Sequence, residues 1–407
     1  MYISMCVIAY NEENSLNSIL KDIIAQDYDH SQMEVVLVNS ASTDRTRELM
    51  ERFARANQRS LGQESQMAAE NPESVDEATD YEIMDYEISC MKFKDVQVLD
   101  NPKKTLPCGW NVALDAYKGD AILKVDAHAS IPLDFVSKNV NVLETGEDIC
   151  GGQRPTMIDE STPWKETLLL AENSMFGSSI APYRNNPGRS YVNSMFHAAY
   201  RREVFDTIGG FNEDLARTED NEVHYRMREA GFKLCFDPEI ISYQHIRSSL
   251  SKMMKQKYAN GYWIGLTSGV CPKCLSLYHF VPFAFVVAII LSALACGVMA
   301  MLGATLGFDV QAAWGSAWST GIDMTAENGE GIYYLIYCII LGLTGLMWGI
   351  YWLLAIAMAM IAVIGAKEKR NWTCLALPFL FFLLHISYGI GTVIGLIKMP
   401  SWRKNLI

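Results

Sequence analysis

The chain has 407 residues, half of them hydrophobic and a fifth charged, with a formal net charge of −12. That length exceeds one ordinary domain, and the lack of a basic face interleaved with aromatic residues excludes a nucleic-acid-binding protein. The acidity is local: nine acidic residues against Arg59 fall between Gln58 and Cys90, so net charge says nothing of the remaining surface.

The first half alternates strands and helices. "YISMCVIAY" reads as a buried strand, followed by a helix from about Ser15 to Gln26. "MEVVLVNS" is a second strand, with a helix from near Thr43 to about Ala56. "DVQVLDN" is a third, and a helix over Gly109–Tyr117 leads into the fourth, "DAILKVDA". Strands separated by helices predict an α/β domain with a mostly parallel, Rossmann-like sheet. Ligands of such sheets bind at the carboxyl ends of the strands, and the polar motifs "YNEEN", "NSASTD" and "DAHA" all fall there. The domain is expected to occupy residues 1–245. The acidic stretch 58–90 carries too little apolar surface to offset the entropy of ordering and reads as a disordered or loosely helical insertion.

Residues 246–276 mix Lys252, Lys255 and Lys257 with Met253, Met254, Tyr258, Tyr262 and Trp263, a composition suited to a helix in the membrane surface. An ordinary amphipathic helix on the soluble domain fits equally. From 277 to 398 the chain turns apolar, with uncharged runs at 277–302, 331–366 and 372–397, about three spans of a bilayer. Lys and Arg favour the cytoplasmic side, which places the amino-terminal domain and "KEKR" at 367–370 in the cytoplasm. The basic tail 399–407, with Lys398 just before it, then lies on the wrong side if the third run crosses fully. Pro378, Gly389, Gly391 and Gly395 leave room for a broken or re-entrant segment there. The ten cysteines are scattered, and Met1 leads straight into a strand without a leader peptide, so the soluble part reads as cytoplasmic and reducing.

In "KVDAHAS", Asp126 and His128 stand two residues apart, and on a strand such residues point to one side. They suit a shared ligand, although an isolated pair equally suits a polar turn. "CPKC" at 271–274 invites a zinc site, but zinc normally takes four ligands and no second pair matches; His279 alone is insufficient. His385, inside the third apolar run, reads as a neutral imidazole bonded to a neighbouring helix.

Five blocks now stand in order: "VIAYNEENSLNSILKDIIAQDY", "VVLVNSASTDRT", "NPKKTLPCGWNVALDAYKGDAILKVDAHA", "AAYRREVFDTIGGFNEDLARTEDNEVHYRMREAGFKLCFDP" and "QKYANGYW". This series resembles the landmarks of family 2 glycosyltransferases with the GT-A fold, over about 3–57 and 91–290. The "NPKK", "DAHA" and "YRREVF" blocks resemble the membrane-bound branch that includes the succinoglycan-synthesis enzymes.

The resemblance implies an enzyme that moves a sugar from a nucleotide-sugar donor. Asp126 and His128 take the places of the family's metal- and diphosphate-binding Asp-x-Asp, with His245 as a further ligand. Mixed carboxylate and imidazole donors lean toward Mn²⁺ over Mg²⁺, and a divalent cation would neutralise the departing diphosphate. Asp220 takes the place of the base that deprotonates the acceptor hydroxyl, with Glu219 beside it, and in-line attack would invert the anomeric centre. Ala9, Tyr10, Asn11, Glu12 and Asn39 correspond to nucleoside contacts of a donor expected to be a UDP-sugar, with Asn39 standing where relatives carry Asp. Lys103 and Asn111 fall in the block that approaches the donor, and Arg247 is a candidate to neutralise phosphate. Gln256, Tyr258 and Trp263 match an acceptor motif whose Arg is missing here, which argues against a processive polymerase.

The expected function is addition of one sugar to a lipid-linked, polyprenyl-diphosphate-bound saccharide at the cytoplasmic membrane, in exopolysaccharide or cell-surface glycan synthesis. The rival readings are a polyprenyl-phosphate sugar synthase, a processive polysaccharide synthase, and an inactive membrane scaffold that keeps the fold.

Overall fold

The computed structural model describes residues 1–62, 91–158, 160–177, 188–245, 249–307, 330–367, 370–404 and 406. Most of the acidic stretch (63–90), residues 308–329, Arg247 and two residues of "KEKR" lie outside the described residues.

The amino-terminal half builds on β1 (Ile3–Ala9), α1 (Leu16–Ile24), β2 (Met33–Asn39), α2 (Thr46–Ser60), β3 (Asp95–Asp100), α3 (Leu106–Ala116) and β4 (Ala121–Asp126). Every residue of β1 and β2 is buried, as expected of strands covered on both faces. Their side chains divide by alternation. Met5, Val7, Val35 and Leu37 pack with α1 and α2, while Cys6, Ile8, Val36 and Val38 pack with Trp110 and Ala113 of α3.

Two helix boundaries differ from the sequence expectation. The helix α2 continues to Ser60 because buried Asn57 fixes its last turn, giving its Nδ2 to the Phe93 carbonyl at 3.0 Å and accepting from the Phe93 N–H at 2.9 Å. The helix α3 starts at Leu106, with Pro107 in its first turn, where a missing N–H costs nothing.

After β4 come β5 (Ala129–Ser130), α4 (Phe135–Glu144), β6 (Ile149–Gln153), β7 (Thr156–Met157), α5 (Pro163–Asn173), β8 (Ser190–Val192), β9 (Ala198–Arg201), α6 (Arg202–Ile208), α7 (Glu219–Glu229), β10 (Leu234–Ile241) and β11 (Tyr243–His245). The main sheet has the order β3-β2-β1-β4-β9-β6-β10-β8. The strands β1 to β4 run parallel to one another, whereas β9 runs antiparallel to both β4 and β6. A small second sheet, β5-β11-β7, stands beyond the end of β4. This is the mostly parallel, helix-covered GT-A architecture that the resemblance implies.

The carboxyl-terminal part consists of α8 (Leu250–Thr267), α9 (Val281–Leu306), α10 (Glu330–Gly365) and α11 (Leu377–Lys404), the last preceded by a 3-10 turn over Trp372–Ala376. Among the described residues, three helices are long and apolar enough to cross a membrane. At 36 residues α10 is about 54 Å long, well beyond the ~30 Å of hydrocarbon. His385 lies between two partners: its Nε2 meets the Phe176 carbonyl at 2.6 Å, and its Nδ1 meets the Tyr351 hydroxyl of α10 at 3.1 Å. This matches the neighbouring-helix bond expected from its place in an apolar run.

Candidate active site

The parallel register brings the ends of the first four strands into one row. Ala9 pairs with Asn39, Asn39 with Asp100, and Ile8 with Asp126. Asp126 is the last residue of β4, and its side chain keeps 20 % of its surface exposed. Its Oδ2 accepts from Arg154 Nη2 at 2.7 Å and lies 3.2 Å from His197 Nε2. Burial alone would raise the Asp126 carboxyl, but the charges around it hold it well below the usual carboxylate range. Burial also drives His197 below the ordinary imidazole value, so the permanent charge beside Asp126 is the Arg154 guanidinium. That group rests 4.3 Å from the Phe196 ring centre, and its Nε is buried without a hydrogen-bond partner.

Two residues back on the same face of β4, Lys124 is only 3 % exposed and its Nζ pairs with Asp220 Oδ1. Burial opposes the charge on Lys124, yet Asp220, Glu219 and Asp126 more than offset it and raise the ammonium above its usual value. The Trp110 ring lies 5.2 Å from Nζ. Asp220 sits in the first turn of α7, where the helix dipole favours acids. Its neighbour Glu219 is buried, with Oε2 unpartnered; burial, then the charge of Asp220, pushes its carboxyl up to about 8. One turn further along, buried His224 bridges Ser194 Oγ at 3.1 Å and Tyr200 Oη at 2.8 Å, and burial lowers it to about 4. Asp220 and Asp126 therefore belong to one charged cluster, linked through β4 positions about 7 Å apart, with the Asp126 charge acting on both Lys124 and Glu219.

The other expected site residues distribute around this cluster. His128 Nδ1 lies 3.1 Å from Glu12 Oε1, with 37 % of its side chain exposed. His245 Nε2 meets Ser130 Oγ at 2.8 Å, because β11 pairs with β5 directly after the Asp126–His128 turn. Among the described residues no three His, Cys, Asp or Glu side chains converge as a metal-binding group. Asp126, His128 and His245 thus lie along one edge, each already engaged by a different partner. The chemistry of the donor set still fits a cation: a largely buried carboxylate held ionised and a partly exposed imidazole two residues on.

Tyr10 is exposed, and Asn11 adopts φ 55°, turning its Oδ1 to the Thr43 N–H at 2.8 Å. Glu12 donates its N–H to Thr46 Oγ1 at 2.8 Å, so the first two loops brace each other. Asn39 is fixed at both ends of its amide: Nδ2 donates to Asp100 Oδ1 at 3.1 Å, and Oδ1 accepts from the Ser42 N–H at 3.1 Å. Lys103 pairs with Glu213 at 2.5 Å, and Asn111 bonds Phe211 and Glu213, so both clamp the loop ahead of α7. On α8, Gln256 is half-buried, Tyr258 is exposed and stacked on Tyr262, and Trp263 meets Tyr262 and Trp402 edge-on. The helix is tied to the cleft by Arg217 Nη1 on Asn260 Oδ1 at 2.6 Å and by the Thr218 and Thr267 hydroxyls in contact at 2.5 Å.

Sequence reading missed Lys124, Arg154 and His197. Lys124 left a signal, as the single charge within the apolar run "AILKV". Arg154 and His197 left none, because their closeness to Asp126 depends on β9 inserting beside β4.

The Glycosyl transferase family 2 model matches residues 4–62 and 71–209, which contain β1 to β4 and the Asp126–His128 turn. The chain belongs to glycosyltransferase family 2. It is 29 % identical over 169 residues to the succinoglycan biosynthesis protein ExoA of Rhizobium meliloti, covering 41 % of this chain and 51 % of that protein. The chain therefore spans about half the length of this relative. A second relative is the Methanococcus voltae dolichyl N-acetyl-α-D-glucosaminyl phosphate 3-β-D-2,3-diacetamido-2,3-dideoxy-β-D-glucuronosyltransferase, 20 % identical over 271 residues, covering 65 % of this chain and 73 % of that one. Among solved structures, similarity extends to a mannosyltransferase from Pyrobaculum calidifontis in complex with GDP-Man and Mn²⁺, at 15 % identity and TM-score 0.47 over 96 % of this chain and 87 % of that one. TarS of S. aureus in complex with UDP-GlcNAc matches at 14 % identity and TM-score 0.40 over 100 % and 92 %.

Proposed function

We propose that this glycosyltransferase transfers one sugar, with inversion, from a nucleotide sugar to a lipid-linked saccharide at a membrane surface. The observation that carries the reading is the Lys124–Asp220 pair, which fastens a second carboxylate beside the face of β4 that ends in Asp126. One carboxylate then serves the departing diphosphate and the other the arriving alcohol. The acceptor oxygen forms its bond to the anomeric carbon as the bond from that carbon to the diphosphate breaks, and the hydroxyl proton passes to Asp220. Glu219, held protonated up to about pH 8, spares the cleft one negative charge while the diphosphate is bound.

Asp126 and His128 would hold a divalent cation, with Mn²⁺ favoured by their mixed donor set; when bound it neutralises charge on the leaving group. Arg154 shares the Asp126 carboxylate and supplies a fixed positive charge at the same end of the cleft. The nucleoside half of the donor falls to the loops after β1 and β2, with a UDP-sugar as the expected donor. Asn39 cannot swing freely there, since both ends of its amide are bound.

The lipid-linked acceptor is supported by the apolar helices and by the acceptor in the name of the Methanococcus relative. A polyprenyl-diphosphate carrier, a cytoplasmic catalytic domain and a product destined for surface glycan complete the reading. Incubating detergent-solubilised enzyme with a panel of nucleotide sugars, Mn²⁺ and a polyprenyl-diphosphate disaccharide tests it. A single added sugar of inverted configuration is expected. A ladder of products would favour the processive synthase instead, and transfer only to free polyprenyl phosphate would favour the polyprenyl-phosphate sugar synthase.

A further inference from the structure

By composition α11 is a third membrane span, yet its neighbours are those of a different kind of helix. It runs parallel to α8 in close contact from Ser387 to Met399. Ser387 Oγ donates to the Met254 carbonyl at 2.8 Å. A Cβ on Gly391 would lie 2.2 Å from the Tyr258 carbonyl oxygen, one on Gly395 2.2 Å from that of Tyr262, and one on Gly261 2.0 Å from that of Tyr388. The backbones of α8 and α11 therefore touch over several turns. The first half of α11 packs on the catalytic domain itself, Leu377, Leu380 and Phe381 sharing a cluster with Leu168 and Ala171 of α5.

The helix α8 is in turn part of the catalytic domain's polar framework, through Arg217–Asn260, Thr218–Thr267 and the buried Lys257–Glu172 pair at 3.0 Å. Sinking α11 through the hydrocarbon would take the Lys257–Glu172 pair and Arg217 with it, and ionised side chains are strongly disfavoured at the bilayer centre. The exposed large hydrophobic residues of α11 also fall in one stripe, Phe379, Leu383, Ile390 and Ile397, spaced by four and seven, which is a single helix face. By contrast the exposed residues of α9, among them Ala293, Ala300, Ile290, Leu294, Leu291 and Leu306, spread over about two thirds of its circumference. The tail after α11's apolar stretch stays with α8 too: the Trp402 ring meets Trp263 at 6.2 Å, and Lys398 Nζ lies 5.8 Å from the Tyr262 ring centre.

We propose that α11 does not cross the bilayer but lies in its surface on the catalytic side, with Phe379, Leu383, Ile390 and Ile397 seated at the boundary of headgroups and acyl chains. Only α9 and α10 cross. The occupant of the apolar stripe is lipid, because Phe379 at its start meets Trp352 of the crossing helix α10, their ring centres 5.3 Å apart. Lys398, Arg403 and Lys404 then stand on the same side as Lys367, Arg370 and the catalytic domain, which removes the charge conflict in the sequence. The placement also sets the acceptor's approach: α8, pressed between α11 and the Thr218–Asp220 turn, carries the membrane plane up to the cleft.

This inference rests on the membrane-bound reading above, and one preparation separates the two. The full chain carries different epitope tags at its two ends and is made in sealed, inside-out membrane vesicles. Retention in the pellet after alkaline carbonate checks the membrane reading; extraction would overturn it and this inference together. Protease added outside the vesicles is expected to remove both tags at the same concentration. Retention in the pellet with one tag digested and the other protected until detergent is added would overturn the placement of α11 and leave the membrane reading standing.

Discussion

Lys124 and Asp220 form a buried ion pair that ties the end of β4 to the first turn of α7, across 96 residues of sequence. The pair does two things. It fixes the distance between the two ends of the cleft, and it compensates a lysine that the sheet interior would otherwise drive toward neutrality.

Replacing Lys124 by Met is expected to destabilise the enzyme by about 3–5 kcal/mol, because the partner carboxylate is left buried and uncompensated. Lys124→Met combined with Asp220→Asn should recover much of that loss. Thermal unfolding of the four members of the cycle measures it, and simple additivity of the two substitutions would contradict the coupling.

Asp220→Asn keeps shape and removes the proton acceptor. Turnover should fall by about 10²–10⁴-fold while the donor still binds with near-native affinity. Steady-state transfer rates and nucleotide-sugar titration separate the two effects; unchanged turnover would remove Asp220 from the role of base.

Asp126→Asn should raise the Mn²⁺ concentration needed for half-maximal activity, since one charged ligand becomes neutral. Chelation by EDTA should stop transfer in the wild type and added Mn²⁺ restore it. A Mn²⁺ titration that superimposes on wild type would exclude Asp126 as a ligand.

The raised carboxyl of Glu219 makes stability depend on pH. Below about 4.5 the folded and unfolded chains both hold this proton; as pH climbs toward about 8 only the folded chain keeps it, so stability is lost over that window. Glu219→Gln carries no proton to release. Its melting temperature should match wild type near pH 5 and exceed it at pH 8.5, and parallel pH profiles for the two proteins would refute the shift.

Gly391→Leu places a side chain where the Tyr258 carbonyl stands. The clash should cost about 1–3 kcal/mol or more and lower the melting temperature, whereas Gly342→Leu on α10, with open space around it, should leave it nearly unchanged.

Much of the catalytic half was legible in the sequence. Buried strands followed by amphipathic helices are local patterns, set by alternation and helical period within a dozen residues. The ends of β1, β2 and β4 therefore announced where a ligand site would lie. Asn39 shows the limit. Its departure from the family's carboxylate was visible, but not that Asp100, one strand over in register, would bind its amide.

What the sequence by itself determined was the order of elements, the parallel sheet and the apolar character of the carboxyl-terminal helices, because each follows from short-range patterning of polar and apolar residues. Only the tertiary structure decided which charges face each other. Arg154 and His197 reach Asp126 through the antiparallel insertion of β9, and Lys124 finds Asp220 on a helix packed over the face of the sheet. It also decided the surroundings of α11, since hydropathy records what a helix can dissolve in but not what lies beside it. Contacts between residues distant in the chain depend on topology, and no window of local sequence carries that information.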